Sequence, residues 1–404
     1  MTTAHAPDSR YSWVRLAISL ALSTIGGIGL WSAVVVLPTI QAEFAIDRAG
    51  ASLPYTVTTI GFAIGGLLMG RLADRFGITV PLFAGAIALG AGFILAALSG
   101  SFLQFLIVQA LLIGLLGSSS TFGPLVADVS LWFHKRRGIA VAIVASGNYL
   151  AGTVWPPLLQ YGIAAYGWRP VYAAIGLLCV ATMMPLALLL RPRPHFDDRA
   201  SPASSPKGAS GLLPRPRFLQ PLLILAGLAC CVAMSMPQVH IVAYCADLGY
   251  GPARGAEMLA LMLGFGVVSR LASGVIADRI GGIGTLIAGS VLQALALLFY
   301  IPFDGLASLY IVSAFFGLGQ GGIVPSYAMI VRDYFPAREA GSRISLVLTA
   351  TVLGMALGGW LSGEIYDWTG SYRAAFLNGI AWNLLNMGIA VWLLVRRRRQ
   401  PAFA

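Results

Sequence analysis

Charged side chains are scarce in this sequence: Asp, Glu, Lys and Arg make up 10% of its 404 residues, while 58% are hydrophobic. A typical soluble domain carries about 25% charged residues. The chain has too few charges to cover a water-exposed surface, which excludes a soluble globular protein. The composition therefore predicts an integral membrane protein.

Acidic residues are scarcer than basic ones, with 15 Asp and Glu against 26 Lys and Arg and a net charge of +11. The surplus does not indicate nucleic-acid binding, because it falls mostly on one side of the membrane when both termini are cytoplasmic. Basic clusters at 135–137 and 396–399 lie on that side, and only Arg48, Arg169, Arg254 and Arg373 lie on the other. This positive-inside pattern predicts cytoplasmic termini in a bacterial-type inner cell membrane.

Cysteine is also rare, and none of the four has metal-ligand spacing: Cys179, Cys230, Cys231 and Cys245. We therefore expect no metal and no other cofactor. The few polar residues supply no cluster of nucleophile, base and orienting group, so we expect no enzymatic activity. The N-terminus, MTTAHAPDSR, lacks a cleavable signal pattern, so the first apolar segment should remain in the mature protein.

Apolar runs, in contrast, recur along the whole chain, and each is long enough to cross a hydrocarbon core of about 30 Å. They lack the alternation of a β-barrel, which predicts an all-α membrane protein. Twelve spans are predicted, at 13–38, 50–72, 79–99, 102–128, 137–163, 170–190, 218–245, 254–277, 283–302, 305–330, 341–364 and 372–395.

A segment rich in Pro, Ser and charge, at 191–217, separates spans six and seven and is typical of a linker. It divides the chain into two six-helix bundles, 1–190 and 218–404. The two parts repeat. GRLADRFG at 70–77 returns as GVIADRIG at 274–281, and Arg169 of YGWRPVY returns as Arg373 of GSYRAAF, both 204 positions later. Parallel six-span repeats are typical of transporters that rock two bundles about a central site.

The repeated loop, G-x-L-x-D-R-x-G with Ile for Leu in the second copy, resembles the signature loop of the major facilitator superfamily. The resemblance covers nearly the whole chain and implies the two-bundle facilitator fold with both loops at a cytoplasmic gate. Glycine permits a tight turn there, Asp caps a neighbouring helix, and Arg pairs with an acid such as Asp128. The alternative is that these residues only anchor a loop. The implied gate residues are Gly70, Asp74, Arg75, Gly77, Asp128, Gly274, Asp278, Arg279 and Gly281.

A narrower resemblance lies in WFHKRRGIAVAIVASGNYLAG at 132–152. It is similar to the start of span five in the monocarboxylate transporter and oxalate/formate antiporter branch, with an aromatic pair, two basic residues, small residues and G-x-x-x-G. Four residues separate Gly147 and Gly152 here, one more than in the branch. Small residues at this place allow close helix packing.

Arg270 lies inside span eight, about 12 Å before Asp278 at 1.5 Å per residue, near the midplane where such transporters bind substrates. A charge at that depth costs about 2.5–3.5 kcal/mol on insertion scales, so it marks a functional candidate. The branch carries its substrate-binding arginine at this distance from the loop, which implies that Arg270 binds a carboxylate bidentately. The alternative is a structural arginine bonded to backbone carbonyls of a neighbouring helix.

The other predicted substrate-binding residues are aromatic or polar: Trp31, Thr121, Asn148, Gln320 and Tyr327. Trp31 lies far from both ends of its span, which argues against a place in the interfacial aromatic belt. Gln320 lies in GLGQGGIVPSY, whose glycines and Pro325 could break the helix and bring backbone toward a ligand. Each residue could instead be structural, since membrane hydroxyls often bond a carbonyl of their own helix.

The chain differs in its intramembrane charges from the branch that it resembles. Animal proton-linked monocarboxylate carriers have a lysine in span one and an aspartate one turn before the span-eight arginine. Here span one is uncharged between Arg15 and Glu43, and Gly266 occupies the position one turn before Arg270. The second cation of the oxalate antiporter, in span eleven, has no counterpart in 349–363. These differences disfavour a dianion as substrate.

We expect a secondary active transporter that moves a small organic monocarboxylate anion by rocker-switch alternating access, either proton-coupled or by anion exchange. Its partners would be that anion, protons or a counter-anion, and the lipid bilayer, with no nucleic acid and a monomeric chain. An exporter of drugs or amphipathic metabolites is the alternative, with Arg270 structural. A non-transporting membrane sensor on the same fold is a further alternative, although the chain has no appended soluble domain to carry a signal.

Overall fold

The structure is a computed structural model that describes residues 8–133, 135–192, 216–335 and 337–398. Every regular element within these ranges is helical, and none is a strand, which confirms the expected all-α class. Eleven described helices are long and apolar enough to cross a membrane. One of them, Pro252–Phe299, contains a non-helical residue, Gly281, that separates spans eight and nine.

The spans keep the numbers one to twelve used above. Their helices are Arg10–Gly26 with Ile28–Phe44, Arg48–Phe76, Thr79–Ala97, Phe102–Val108 with Gln109–Gly117 (π), Ser118–Thr121 (3₁₀) and Gly123–Trp132, Arg137–Ala145 with Gly147–Tyr166, Trp168–Leu189, Pro216–Asp247, Pro252–Phe299 (spans eight and nine), Leu306–Gln320 with Ile323–Tyr334, Ala337–Thr369 and Tyr372–Arg398.

The sequence repeat is also a repeat of helix boundaries. Spans two, four and six begin at Arg48, Phe102 and Trp168, and spans eight, ten and twelve begin at 252, 306 and 372, in each pair 204 positions later. Gly77 and Gly281 end the two loop motifs with φ of 85° and 75°. Only glycine adopts this left-handed conformation readily, so the final glycine of each motif is required by the turn.

By its internal contacts the chain forms two compact units. The first unit comprises the described residues of 1–198 together with 241–263, and the second comprises those of 199–240 together with 264–404. A helical hairpin from the C-terminal repeat, residues 241–263, therefore packs with N-terminal residues. Most of the expected linker, from 193 to 215, lies outside the described residues.

Spans three and six cross in the first unit through two glycines. A Cβ on Gly90 would lie 2.9 Å from the carbonyl oxygen of Gly176, and a Cβ on Gly176 would lie 2.6 Å from that of Gly90. The backbones approach as closely as small-residue crossings in membranes allow. Phe93 and Tyr172 pack edge to face beside this crossing, with ring centroids 5.1 Å apart.

Candidate functional site

In the first unit, span one is interrupted at Gly27 and touches the interrupted part of span four. Ser118 Oγ donates to the carbonyl oxygen of Gly26 at 2.8 Å, and Thr121 Oγ1 donates to the carbonyl oxygen of Ser118 at 2.8 Å. A Cβ on Gly26 would collide with the Thr121 side chain, and one on Gly29 would collide with Ser118. Thr121 is thus packed against the break in span one, with its hydroxyl bonded within its own span.

Two predicted substrate residues meet beside this break. The indole Nε1 of Trp31 donates to both the backbone oxygen and the Oδ1 of Asn148, each at 3.0 Å. Trp31 is 4% exposed, and a Cβ on Gly152 would lie 2.8 Å from its ring. Span five is itself interrupted at Ser146, two residues before Asn148. The first unit therefore brings Trp31, Thr121 and Asn148 to one region where three spans are interrupted.

In the second unit, span ten is interrupted at Gly321 and Gly322, as the glycine-rich sequence indicated. A Cβ on Gly321 would lie 2.5 Å from the backbone nitrogen of Arg270 and would collide with the carbonyl oxygen of Gly266. Ser269 Oγ donates to the carbonyl oxygen of Leu318 at 2.6 Å, next to the interruption. The backbone of the half-buried Arg270 therefore lies where span eight contacts the interruption in span ten.

Gln320 and Tyr327 flank that interruption but are fully buried. Gln320 Oε1 accepts a short hydrogen bond from Nε2 of Gln238 in span seven. Tyr327 donates its hydroxyl to Oδ1 of Asn386 in span twelve at 2.7 Å. Both side chains hold neighbouring spans of the second unit together, and the partner in span twelve, Asn386, was not indicated by the sequence.

The predicted gate acid, Asp128, has a different cation from the one suggested by the loop. Arg15 Nε and a terminal nitrogen donate to its two carboxylate oxygens at 2.7 and 2.8 Å, and the side chains are 1% and 9% exposed. Arg15 also lies over the ring of Trp132, 4.5 Å from its centroid. Arg75 instead lies over the ring of Phe76. The sequence did not indicate Arg15 as the partner of Asp128.

The other gate residues lie at the surface of their units. Asp74 and Arg75 are exposed in the first unit, as are Asp278 and Arg279 in the second, and a Cβ on Gly70 or Gly274 would meet nothing within 4 Å. Asp74, Gly77 and Asp128 line a cavity of about 1150 Å³ in the first unit. Three of the predicted gate residues therefore share one cavity wall, together with Arg15.

A further ion pair in the first unit was not predicted. A terminal nitrogen of Arg48, a residue only 5% exposed, donates to both oxygens of Asp247 at 2.9 and 2.8 Å. Asp247 belongs to the 241–263 hairpin of the C-terminal repeat. The two residues are 199 positions apart, so no local sequence pattern could have paired them.

Twofold-repeated helical spans, with spans four and ten interrupted at equivalent positions and an arginine inside span eight, are typical of a multi-pass membrane transporter of the repeat type. The family model of the Major Facilitator Superfamily matches residues 19–312 and 258–404. The chain belongs to that superfamily. The resemblance inferred from the repeated loop is confirmed.

The curated relatives include monocarboxylate transporters and an efflux protein. Monocarboxylate transporter 13 of Bos taurus is 26% identical over 397 residues, which cover 96% of this chain and 91% of that protein. Agnestins efflux protein AgnL12 of Paecilomyces divaricatus is 25% identical over 389 residues, which cover 93% and 85%. Among solved structures, a bacterial homologue of the human lysosomal transporter Spinster, inward-facing and occupied, superposes with a TM-score of 0.72 at 15% identity, covering 97% of this chain and 98% of that one. That likeness supports the fold alone.

Proposed function

We propose that this transporter moves a small organic monocarboxylate anion by alternating access, with Arg270 binding the carboxylate. The observation that carries the proposal is the position of Arg270, a half-buried arginine inside span eight whose backbone contacts the interruption of span ten. A guanidinium offers the fork of donors that matches a carboxylate.

The position of Arg270 in the membrane supports a ligand role. Nearby Ser269 and Ser273 direct their hydroxyls to backbone oxygens, of Leu318 and of Arg270 itself, at 2.6 and 2.9 Å. A cation inside a membrane-spanning helix is costly, and such residues mark substrate or ion pathways.

The relatives named monocarboxylate transporters 13 and 11 support this substrate class. The lack of a second cation between Arg15 and Glu43 of span one or within 349–363 of span eleven supports a monovalent anion, carried together with a proton or in exchange for another anion. The distribution of basic residues supports cytoplasmic termini in the inner cell membrane, with the gate loops on the cytoplasmic side.

Export of amphipathic metabolites is the second candidate function. The similarity to the agnestins efflux protein favours it, because that protein is as similar to this chain as the monocarboxylate transporters are. In this case Arg270 would be structural, and lipophilic compounds rather than carboxylates would compete for transport.

Transport by purified protein in liposomes tests the proposal. Counterflow should be inhibited by monocarboxylates of graded size and not by lipophilic cations. Arg270→Gln should lower carboxylate uptake about 100-fold or more, since removing one member of a desolvated charge pair costs about 3 kcal/mol. Arg270→Lys should retain part of the activity because it keeps the charge without the fork.

Arg254→Gln is the matched control, since Arg254 begins the same helix but is exposed and paired with Glu257 at 3.0 Å. It should transport normally. Normal uptake by Arg270→Gln, with unchanged yield and unfolding midpoint, would refute the anion site. Inhibition by lipophilic cations alone would establish the export alternative.

A further inference from the structure

Five polar side chains of the second unit form a cluster among spans nine, ten and twelve, and only one of them, Tyr327, is a predicted substrate-binding residue. They are completely buried, with no exposed surface: Ser290, Gln293, Tyr327, Asn383 and Asn386. We call this set the polar cluster. Polar groups at such depth normally have all their hydrogen bonds made, because each unmade one leaves a desolvated group without compensation.

One half of the polar cluster is fully bonded. Tyr327 donates to Asn386 Oδ1 at 2.7 Å, Asn386 Nδ2 donates to Ser290 Oγ at 2.8 Å, and Ser290 Oγ donates to the carbonyl oxygen of Leu286 at 2.7 Å. This chain runs from span ten through span twelve into span nine. It fixes the second half of the interrupted span ten against two neighbours.

The other half leaves two acceptors open. Asn383 Nδ2 donates to the carbonyl oxygen of Ser290 at 2.7 Å, and Gln293 Nε2 donates to that of Cys230 at 3.2 Å. Backbone carbonyls only accept, so each amide must present its nitrogen to them, and its own oxygen must point elsewhere. Within the described part of the chain, neither Asn383 Oδ1 nor Gln293 Oε1 receives a hydrogen bond.

The two open oxygens lie at the same level of span nine. In a helix the carbonyl of residue 290 points along the axis toward residue 294, so the Asn383 amide bonded to it lies beside that turn. Gln293 projects from the same turn, three residues after Ser290, on the same face. From this geometry we infer that the two open acceptors lie near each other in the buried interior of the unit.

We propose that a single internal water molecule binds between Gln293 Oε1 and Asn383 Oδ1 and completes the polar cluster. Water supplies two O–H donors, one for each open acceptor, and carries no charge into the membrane interior. A sodium ion fits less well, because Asn386 Oδ1 and Ser290 Oγ already accept hydrogen bonds and two neutral amide oxygens alone are too few ligands for a cation. The water-filled polar cluster braces the second half of span ten, independently of which substrate is transported.

The first unit shows that the fold itself does not require a polar cluster here. The positions 204 residues earlier hold Ala86, Leu89, Gly123, Cys179 and Thr182. Ala86, Leu89 and Cys179 are completely buried and belong to the hydrophobic core of the first unit. At these equivalent positions the first repeat thus has no buried amide, whereas the second repeat has three.

A crystal structure of the purified protein that resolves ordered water tests the site directly. Density should appear within hydrogen-bond distance of both Gln293 Oε1 and Asn383 Oδ1, and it should be absent in the Asn383→Cys variant, which carries the residue found in the first repeat. Ordered water elsewhere in the interior, with none between these two oxygens, would overturn the proposal.

Thermal unfolding gives a second readout. Gln293→Leu and Asn383→Cys should each lower the midpoint by about 2 °C or more. The double variant should lose less than the sum, because the water is released by the first substitution. Ser235→Ala, which removes a buried hydroxyl bonded to the oxygen of Met355 at 2.7 Å, should instead add to Gln293→Leu. Additive losses of the unfolding midpoint for Gln293→Leu and Asn383→Cys would refute a shared water.

A cation in place of the water is tested by the salt. An unfolding midpoint that is higher in NaCl than in choline chloride, with no such difference in Asn383→Cys, would identify a cation and overturn the proposal.

Discussion

The crossing of spans three and six and that of spans nine and twelve occupy equivalent places in the two repeats but are built from different chemistry. The first is a close approach of Gly90 and Gly176 beside buried apolar side chains. The second is held by amides and hydroxyls, with Asn386 and Ser290 at its centre. The repeat has kept helix boundaries and glycine turns, while the interior contacts differ. A duplicated scaffold can therefore hold one repeat rigid through packing and the other through directional bonds.

The interrupted spans show the same divergence. Span four is interrupted beside a run of hydroxyl residues that bond nearby backbone oxygens, and span ten beside the backbone of Arg270. The position equivalent to Arg270 is Gly66, where a Cβ would meet nothing within 4 Å. The charge thus occurs in only one repeat, although the other has space for a side chain at that point.

Among the substitutions that test this difference between the repeats, the largest loss of stability is expected for Asp128→Ala in the first unit. Its partner, Arg15, is 1% exposed, and the positions 204 residues later hold Leu219 and Arg332, so the second repeat has no such pair there. Asp128→Ala should destabilise the protein by about 3–5 kcal/mol because it leaves a buried arginine uncompensated. Equilibrium unfolding in detergent measures it.

Asp74→Asn is the control for Asp128→Ala, because Asp74 lines the same cavity but is exposed. It should change stability by less than about 0.5 kcal/mol. Equal losses in the two variants would mean that the Arg15–Asp128 pair does not stabilise the first unit.

The next comparison is between two adjacent glycines of span two, Gly65 and Gly66. A Cβ on Gly65 would collide with the backbone oxygen of Leu115, whereas one on Gly66 would meet nothing. Gly65→Ala should therefore cost about 1–3 kcal/mol through overpacking. Gly66→Ala should be neutral or stabilise the helix by up to about 1 kcal/mol. The difference in unfolding midpoint between these neighbours checks both, and a smaller loss in Gly65→Ala would contradict the close packing of spans two and four.

A loss of similar size is expected in the polar cluster of the second unit. Tyr327→Phe removes the donor to Asn386 Oδ1 and should cost about 1–3 kcal/mol, because a buried acceptor is left unpaired. Tyr161→Phe is the matched control, since Tyr161 is 78% exposed. Unfolding of the two variants side by side is the measurement. Identical midpoints would show that directional bonding contributes nothing to the second unit.

The twelve spans, their repeat and the turn glycines could be predicted from the sequence because hydrophobic length, charge and positive φ are local properties. The interruption of span ten was visible in its glycines. The sequence did not show which side chains pair with one another. Asp128 pairs with Arg15 rather than Arg75, and Gln320 bonds Gln238, because these contacts join residues that are distant in sequence and depend on how helices rotate against one another. The roles of Arg270 and the other proposed substrate residues stay predictions.

The hairpin of residues 241–263 belongs to the C-terminal repeat by sequence, but it packs in the unit of the N-terminal repeat, to which the Arg48–Asp247 ion pair joins it. The duplicated segments meet at 191–217, yet the compact units do not divide there, because the helices on both sides of the hairpin run through both units. A chain cut in the linker would yield one fragment without this hairpin and another that carries it without Arg48. Neither fragment would contain all the residues of one compact unit.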